Sequence, residues 1–178
     1  MGAPGGAAGP LLVLNILGSV VHETKPPEGV NLALKGIASS DSIASNGSVT
    51  GLAAKAIDGI RVSDFFKGHC SLTNGLNNPT WWKVDLKKSY KISSVFVTNR
   101  DDCCTERLLH AEIRIGSNPD HNHNPICAEV KTVASSNIGF CCGGMEGRYV
   151  SVSVPRKEQL SLCEVEVYGD LKKVLHCA

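Results

Sequence analysis

Trp82-Lys-Val-Asp-Leu86 decides the fold class: in an extended chain Trp82, Val84 and Leu86 fall on one face, Lys83 and Asp85 on the other. The same two-residue alternation recurs on both sides of it. Val95 and Val97 alternate with Phe96 and Thr98, and Ile113 and Ile115 stand between Glu112, Arg114 and Gly116. Val150, Val152 and Val154 alternate with Ser151 and Ser153, and Val165 and Val167 with Glu164, Glu166 and Tyr168. No segment from Asn31 onward keeps a helical period. Turn-rich stretches separate the alternating runs: Ser45-Asn-Gly-Ser48, Asn74-Gly75, Asn77-Asn-Pro79 and Ser117 to Pro125. Many short strands joined by polar loops predict an all-β chain, an antiparallel sandwich or barrel. In such folds binding groups gather on loops at one end.

Upstream of this region, residues 1–21 read as a leader. Met1 to Pro10 is uncharged and rich in Gly, Ala and Pro, and Leu11 to Val21 is an apolar run. That run is too short to span a bilayer, which takes about 20 residues, and suits the central part of a secretory signal. Residues 22–30, with Pro26-Pro27 and Gly29, read as a linker. The folded domain is expected over 31–169, with a tail over 170–178.

Composition narrows the function. Lys and Arg number 18 against 17 Asp and Glu in 178 residues. This balance argues against a nucleic-acid binder, which carries a basic face, and against a polybasic membrane patch. Eight cysteines point to disulfides and an oxidising, extracellular setting. No Cys-x-x-Cys pair occurs, so a zinc ribbon or thioredoxin-like site lacks support. Asn46-Gly-Ser48 is an N-glycosylation sequon, in keeping with secretion. Nor is there a GxSxG, an HExxH or a phosphate-cradling glycine loop, and no carboxylate pair is marked out, so no enzyme is predicted.

Two cysteine pairs are adjacent in sequence: Cys103-Cys104 and Cys141-Cys142. A bond between neighbours closes a strained eight-membered ring whose loop-closure gain is negligible beside that of long loops. If Cys103 and Cys104 are joined, the reason lies at the surface, in a rigid apolar sulfur platform. The alternative is that each pairs elsewhere, and spacing leaves both open. The surrounding run Thr98-Asn-Arg-Asp-Asp-Cys-Cys-Thr-Glu-Arg107 adds two guanidinium groups, Arg100 and Arg107, flanking the pair. Asp102 can orient one of them through a charge-assisted hydrogen bond. A guanidinium presents several coplanar donors, which suits neighbouring sugar hydroxyls, and an apolar platform suits the ring face. Ion pairs of the two Arg with Asp101 and Glu106 are the plainer alternative.

These motifs together resemble the F-type lectins, the fucose-binding family of the eel agglutinin. Asn31-Leu-Ala-Leu-Lys-Gly36 resembles the family's opening strand, Ala56-Ile-Asp-Gly59 its next landmark, and Trp81-Trp-Lys-Val-Asp-Leu86 its WWxVDL. Arg100-x-Asp102-x-x-x-x-Arg107 matches its RxDx4(R/K) sugar motif, and Gly144 to Val150 and Leu162 to Val167 resemble its last two strands. The resemblance covers about Asn31 to Gly169. It implies a jelly-roll sandwich related to discoidin-like galactose-binding domains, with L-fucose or fucosylated glycans held by Arg100 and Arg107. It also implies a Cys103–Cys104 platform, with Phe65 and Phe66 near the sugar's C6 methyl. Bridges Cys70–Cys163 and Cys127–Cys141 are implied, leaving Cys142 and Cys177 over for each other, another chain or neither.

The family motif opens with a His that donates to fucose. Counting from Cys70 puts Leu72 there, and counting back from Arg100 puts Thr73; His69 lies nearby. The resemblance further implies a structural calcium, with carboxylates from Asp58 and Glu164 and carbonyls from Lys55, Ile60, His69 and Cys163. Hard calcium prefers such oxygen donors. The function implied is a secreted lectin of innate recognition, with homo-oligomers as one route to avidity and no membrane insertion. The alternative is the same scaffold with a non-fucose glycan, protein or lipid ligand, because the His is replaced.

Overall fold

The computed structural model describes Val20–Val21 and residues 29–169, and the chain forms an antiparallel jelly-roll sandwich around one main core. In chain order the strands are β1 (Val20–Val21), β2 (Ile37–Ser40), β3 (Ser45–Asn46), β4 (Val49–Thr50) and β5 (Ser71–Leu72). They continue with β6 (Thr80–Asn99), β7 (Glu112–Gly116), β8 (Ile126–Glu129), β9 (Asn137–Val154) and β10 (Ser161–Tyr168). The main sheet runs β5-β10-β6-β9-β7-β8, with β2 on β6 and β1 on β9, and β3-β4 forms a separate hairpin. Asn46 and Gly47 of the sequon lie exposed at that hairpin's tip. The domain expected to start at Asn31 also takes in an upstream strand, since Val20 pairs with Phe140.

The long strands β6 and β9 make the sandwich. Their pairing runs from Thr80↔Val154 to Thr98↔Asn137, with register shifts between Asp85 and Tyr90 and between Ile92 and Ser94. Such irregularities bend a ribbon. Lys87 adopts φ 71° here, and the Asp85 carboxylate accepts from its amide at 2.7 Å. The Arg148 guanidinium clamps the same carboxylate with two 2.7 Å bonds. The first half of the ribbon contributes Trp82, Val84, Val150, Val152 and Val154 to the core, and the second half Val95, Val97, Ile138 and Phe140. The buried Trp82 indole satisfies its N–H on the carbonyl of Ala53.

Because the ribbon folds back, both of its ends lie at one end of the sandwich. Segments 73–79, 100–111 and 155–160 meet there and bond to one another. Thr73 donates its amide to Leu160 and accepts from the Leu160 amide on its hydroxyl. Arg156 donates to the carbonyls of Leu109 and Arg107.

The disulfides contain one correction. Cys70–Cys163 and Cys103–Cys104 form as expected, but Cys127 bonds Cys142, with the Cα atoms 5.2 Å apart, and not Cys141. Side chains alternate across β9, so a one-residue step changes the face. Cys142 points into the core beside Cys127, whereas Cys141 takes the opposite, half-buried side. Cys142 is therefore not left over, and Cys141 is itself disulfide-bonded. Cys177, with the leader, linker and tail apart from Val20, Val21, Gly29 and Val30, lies outside the described residues.

Candidate functional site

The loop after β6 carries the two arginines and the paired cysteines. Its start is pinned by the Asp101 amide on the Ser63 carbonyl at 3.0 Å and by Asn99 Nδ2 on the Thr105 carbonyl at 3.0 Å. Cys104 takes a left-handed φ of 64° and opens the 3-10 turn Thr105–Leu108 that brings Arg107 round. Cys103 and Cys104, joined by their disulfide, are both half-buried.

Arg100 is buried, and its side chain is only 4% exposed. Its Nε and NH2 donate to Oδ1 and Oδ2 of Asp102 at 2.9 and 2.6 Å, a bidentate charge-assisted pair. The same Oδ1 accepts from the Phe65 amide at 2.8 Å. Hydrogen bonds from Arg100, followed by that from the Phe65 amide, hold the Asp102 carboxyl below the usual range against the opposing effect of burial. The guanidinium also lies over the rings of Phe65 (4.6 Å) and Phe66 (5.7 Å). Phe65 is fully buried, whereas Phe66 is 55% exposed. Arg100 is thus oriented from behind with NH1 left over, since NH1 has no hydrogen-bond partner among the described residues.

At the other end of the loop, Arg107 NH1 donates to Gln159 Oε1 at 2.8 Å. Glu158 Oε1 lies 3.6 Å from its Nε, and Glu158 Oε2 is 4.0 Å from Arg156. Nothing in the sequence marks Gln159, Glu158 or Arg156 as site residues. They sit in an irregular segment without periodicity, and their link to Arg107 joins residues about fifty positions apart in the chain. Asp102 orients Arg100 as expected, and the plainer alternative, ion pairs of the two Arg with Asp101 and Glu106, does not form; Arg107 has Glu158 beside it instead.

Leu72 and Thr73 are both turned away from this end's surface. Leu72 is 3% exposed and packs with Phe65, Cys70 and Cys163 in a small second core. Thr73 is equally buried, with its hydroxyl engaged by the Leu160 amide and Thr80. His69 faces elsewhere: its Nδ1 is 2.8 Å from Asp58 Oδ2.

The residues proposed for calcium gather beneath the same loops. Glu164 is fully buried on the outer face of β10, and the Gly59 amide bonds its two oxygens at 3.1 and 3.3 Å. Burial, then the nearby carboxylates of Asp58 and Glu166, push its carboxyl up to about 8. Asp58 accepts from the Ile60 amide with its other oxygen. Lys55 closes a turn onto Leu52, and Cys163 is locked in its disulfide. The buried Glu164 carboxyl, with one backbone donor, and the exposed Asp58 near enough to raise its pKa offer oxygen donors of the kind that a hard cation would satisfy. Among the described residues no group of three or more His, Cys, Asp or Glu side chains is gathered, so further ligands would be carbonyls. Glu166 is committed to Arg61, at 2.6 and 3.1 Å, and to the Tyr168 hydroxyl.

Among the described residues no helix is long and apolar enough to cross a membrane.

Comparison with known proteins agrees with this architecture. Residues 55–152 match the family model described as a NedA-like, galactose-binding domain of the F5/F8 type C class. Fucolectin-5 of Anguilla japonica is 46% identical over 142 residues, 77% of this chain and 75% of that protein. The crystal structure of an F-lectin (fucolectin) from Morone saxatilis serum superposes with a TM-score of 0.73 at 43% identity, covering 82% of this chain. This chain spans about half of that one, 49%. A fucose-binding module of Streptococcus pneumoniae aligns with a TM-score of 0.71 at 29% identity, over 82% of this chain and all of that one. These relatives are named for carbohydrate binding rather than for catalysis. The chain belongs to the F-type lectin, or fucolectin, family.

Proposed function

We propose that this protein is a secreted, calcium-containing lectin that binds L-fucose and fucosylated glycans at the end of the sandwich formed by loops 73–79, 100–111 and 155–160. The observation that carries this reading is the 100–107 loop. It holds a pre-oriented, buried Arg100, an Arg107 fixed by Gln159, and a half-exposed disulfide of adjacent cysteines between them. Donors held in place before the ligand arrives lose little entropy on binding. The sulfur surface receives the apolar face of the sugar ring while the guanidinium groups donate to its hydroxyls. Exposed Phe66 offers an apolar wall for the C6 methyl. The fucose-binding relatives support the same ligand.

Calcium would be held by Asp58 and Glu164 with carbonyls of Lys55, Ile60, His69 and Cys163. It would neutralise the buried carboxylate and brace the turn 58–60 beneath the loops. Secretion is supported by the disulfides and by the serum origin of the bass relative. A role in recognising surface glycans in innate defence follows from that setting.

A second reading keeps the scaffold but retunes the sugar. It is favoured by the burial of Leu72 and Thr73, which leaves no imidazole on that edge. Glycan-array binding of the disulfide-intact protein, with calcium and with chelator, separates the two beside an Arg100→Ala control. Fucosylated hits that vanish in Arg100→Ala support the first reading; binding confined to non-fucosylated glycans supports the second.

A further inference from the structure

The carboxamide of Gln159 is half-buried at the edge of the loop cluster and is held in one orientation. Its Oε1 receives Arg107 NH1 at 2.8 Å. A guanidinium can only donate, so the oxygen must face it and the two N–H groups of Nε2 must turn away. Among the described residues Nε2 has no hydrogen-bond partner, and it is not among the buried polar atoms left unsatisfied.

The rest of the residue is fixed as well. The Gln159 amide bonds Glu158 Oε1 at 3.0 Å, and the next residue, Leu160, exchanges two bonds with Thr73. Gly75 leaves little room beside the residue. A Cβ on Gly75 would lie 2.8 Å from the Gln159 nitrogen and 3.1 Å from its Cγ.

We infer that Gln159 is a sugar-binding residue of this site, with Nε2 donating to a ring hydroxyl beside the one held by Arg107. The inference rests on the sugar-binding reading of Arg107. Leu72 and Thr73 cannot supply that donor, since one lies in the small core and the hydroxyl of the other is engaged. Gln159 adjoins the residue to which Thr73 is bonded, so it occupies the edge those positions leave. Oε1 keys Arg107 and Nε2 faces the ligand, so one side chain couples the two donors. The ligand class is a sugar with vicinal hydroxyls, one of them accepting from an amide.

The test is calorimetric titration of L-fucose and of its 2-, 3- and 4-deoxy analogues into wild type, Gln159→Glu and Arg100→Ala. Gln159→Glu keeps an acceptor for Arg107 and replaces the Nε2 donor with an oxygen. Its affinity for L-fucose should fall about three- to tenfold, the worth of one hydrogen bond. One deoxy analogue should bind wild type and Gln159→Glu equally, because its missing hydroxyl is the one Nε2 serves. A residue that only supported the fold would lower all analogues alike. Gln159→Met, similar in size and without added charge, guards against charge effects beside Glu158 and should lose affinity too. Binding of L-fucose within twofold of wild type by both Gln159→Glu, whose new oxygen can accept from a hydroxyl, and Gln159→Met, which can neither donate nor accept there, overturns the inference, as does a uniform loss across the analogues. If wild type itself binds no fucose, the sugar reading of the whole site falls and this inference with it.

Discussion

Removing the Asp102 carboxylate should separate stability from binding. Asp102 accepts three hydrogen bonds, two from a guanidinium whose side chain is 4% exposed and one from the Phe65 amide. In Asp102→Ala the Arg100 charge stays buried without a counterion. Breaking a buried pair from one side costs about 3–5 kcal/mol. Asp102 itself is 18% exposed, so solvent can reach the cavity, and the lower end, about 3 kcal/mol, is expected. The double variant Arg100→Met/Asp102→Ala removes the orphaned charge and should recover about 1–2 kcal/mol of that loss. Binding should behave differently. Asp102→Ala should lose about tenfold or more in L-fucose affinity, because the guanidinium is no longer aimed. The double variant should lose binding outright although it is more stable. Urea unfolding and calorimetric titration measure the two quantities. A destabilisation below about 1 kcal/mol in Asp102→Ala, or a double variant no more stable than the single, would refute the buried-pair argument.

Further predictions concern pH, the bridges and the metal. The Asp102 carboxyl is depressed in the folded state, so its contribution is complete above its unfolded value of about 4 and is lost only as pH falls through the lower folded value. Fucose affinity should therefore be flat from about pH 7 to 5 and decline only below about 4 in a pH-titrated binding assay. Cys103→Ser/Cys104→Ser should abolish binding yet change the unfolding free energy by less than about 1 kcal/mol. Cys70→Ala/Cys163→Ala opens a bridge spanning 93 positions and should cost about 2–5 kcal/mol, measured by the same denaturant titration. Glu164→Gln should remove the chelator-sensitive part of the melting temperature; an unchanged response to chelator in that variant would remove Glu164 from the proposed calcium site.

The strands were legible because their one-sided burial writes a two-residue period into the chain. Trp82, Val84 and Val152 face the core as their alternation predicts. The same rule, applied to Glu164 and Glu166, leaves open whether the outer face of β10 meets water. Both carboxylates are buried, because the segment around residues 53–69 covers that face. A strand pattern reports which side a residue takes, not what lies over that side. The bridge at Cys127 turned on one residue of register: Cys141 and Cys142 are neighbours in sequence and opposites in space.

At the site, the local part was readable and the distant part was not. Arg100, Asp102 and the adjacent cysteines lie within five positions; the Arg100–Asp102 pair was readable from that spacing, whereas the Cys103–Cys104 bond, which spacing left open, was implied by the family resemblance. Gln159, Glu158 and Arg156 reach Arg107 only through the fold, from an irregular segment in which no period marks a polar residue for a role. The burial of Leu72 and Thr73 was likewise hidden, since it depends on how Leu160 and the 70–163 bridge pack against them.

Whether the 100–107 loop holds L-fucose is decided by a crystal structure of the disulfide-intact protein soaked with L-fucose. The sugar's apolar face should lie on the Cys103–Cys104 disulfide, with hydroxyls within hydrogen-bond reach of Arg100 and Arg107. A sugar bound elsewhere on the sandwich, or none at saturating concentration, would contradict it.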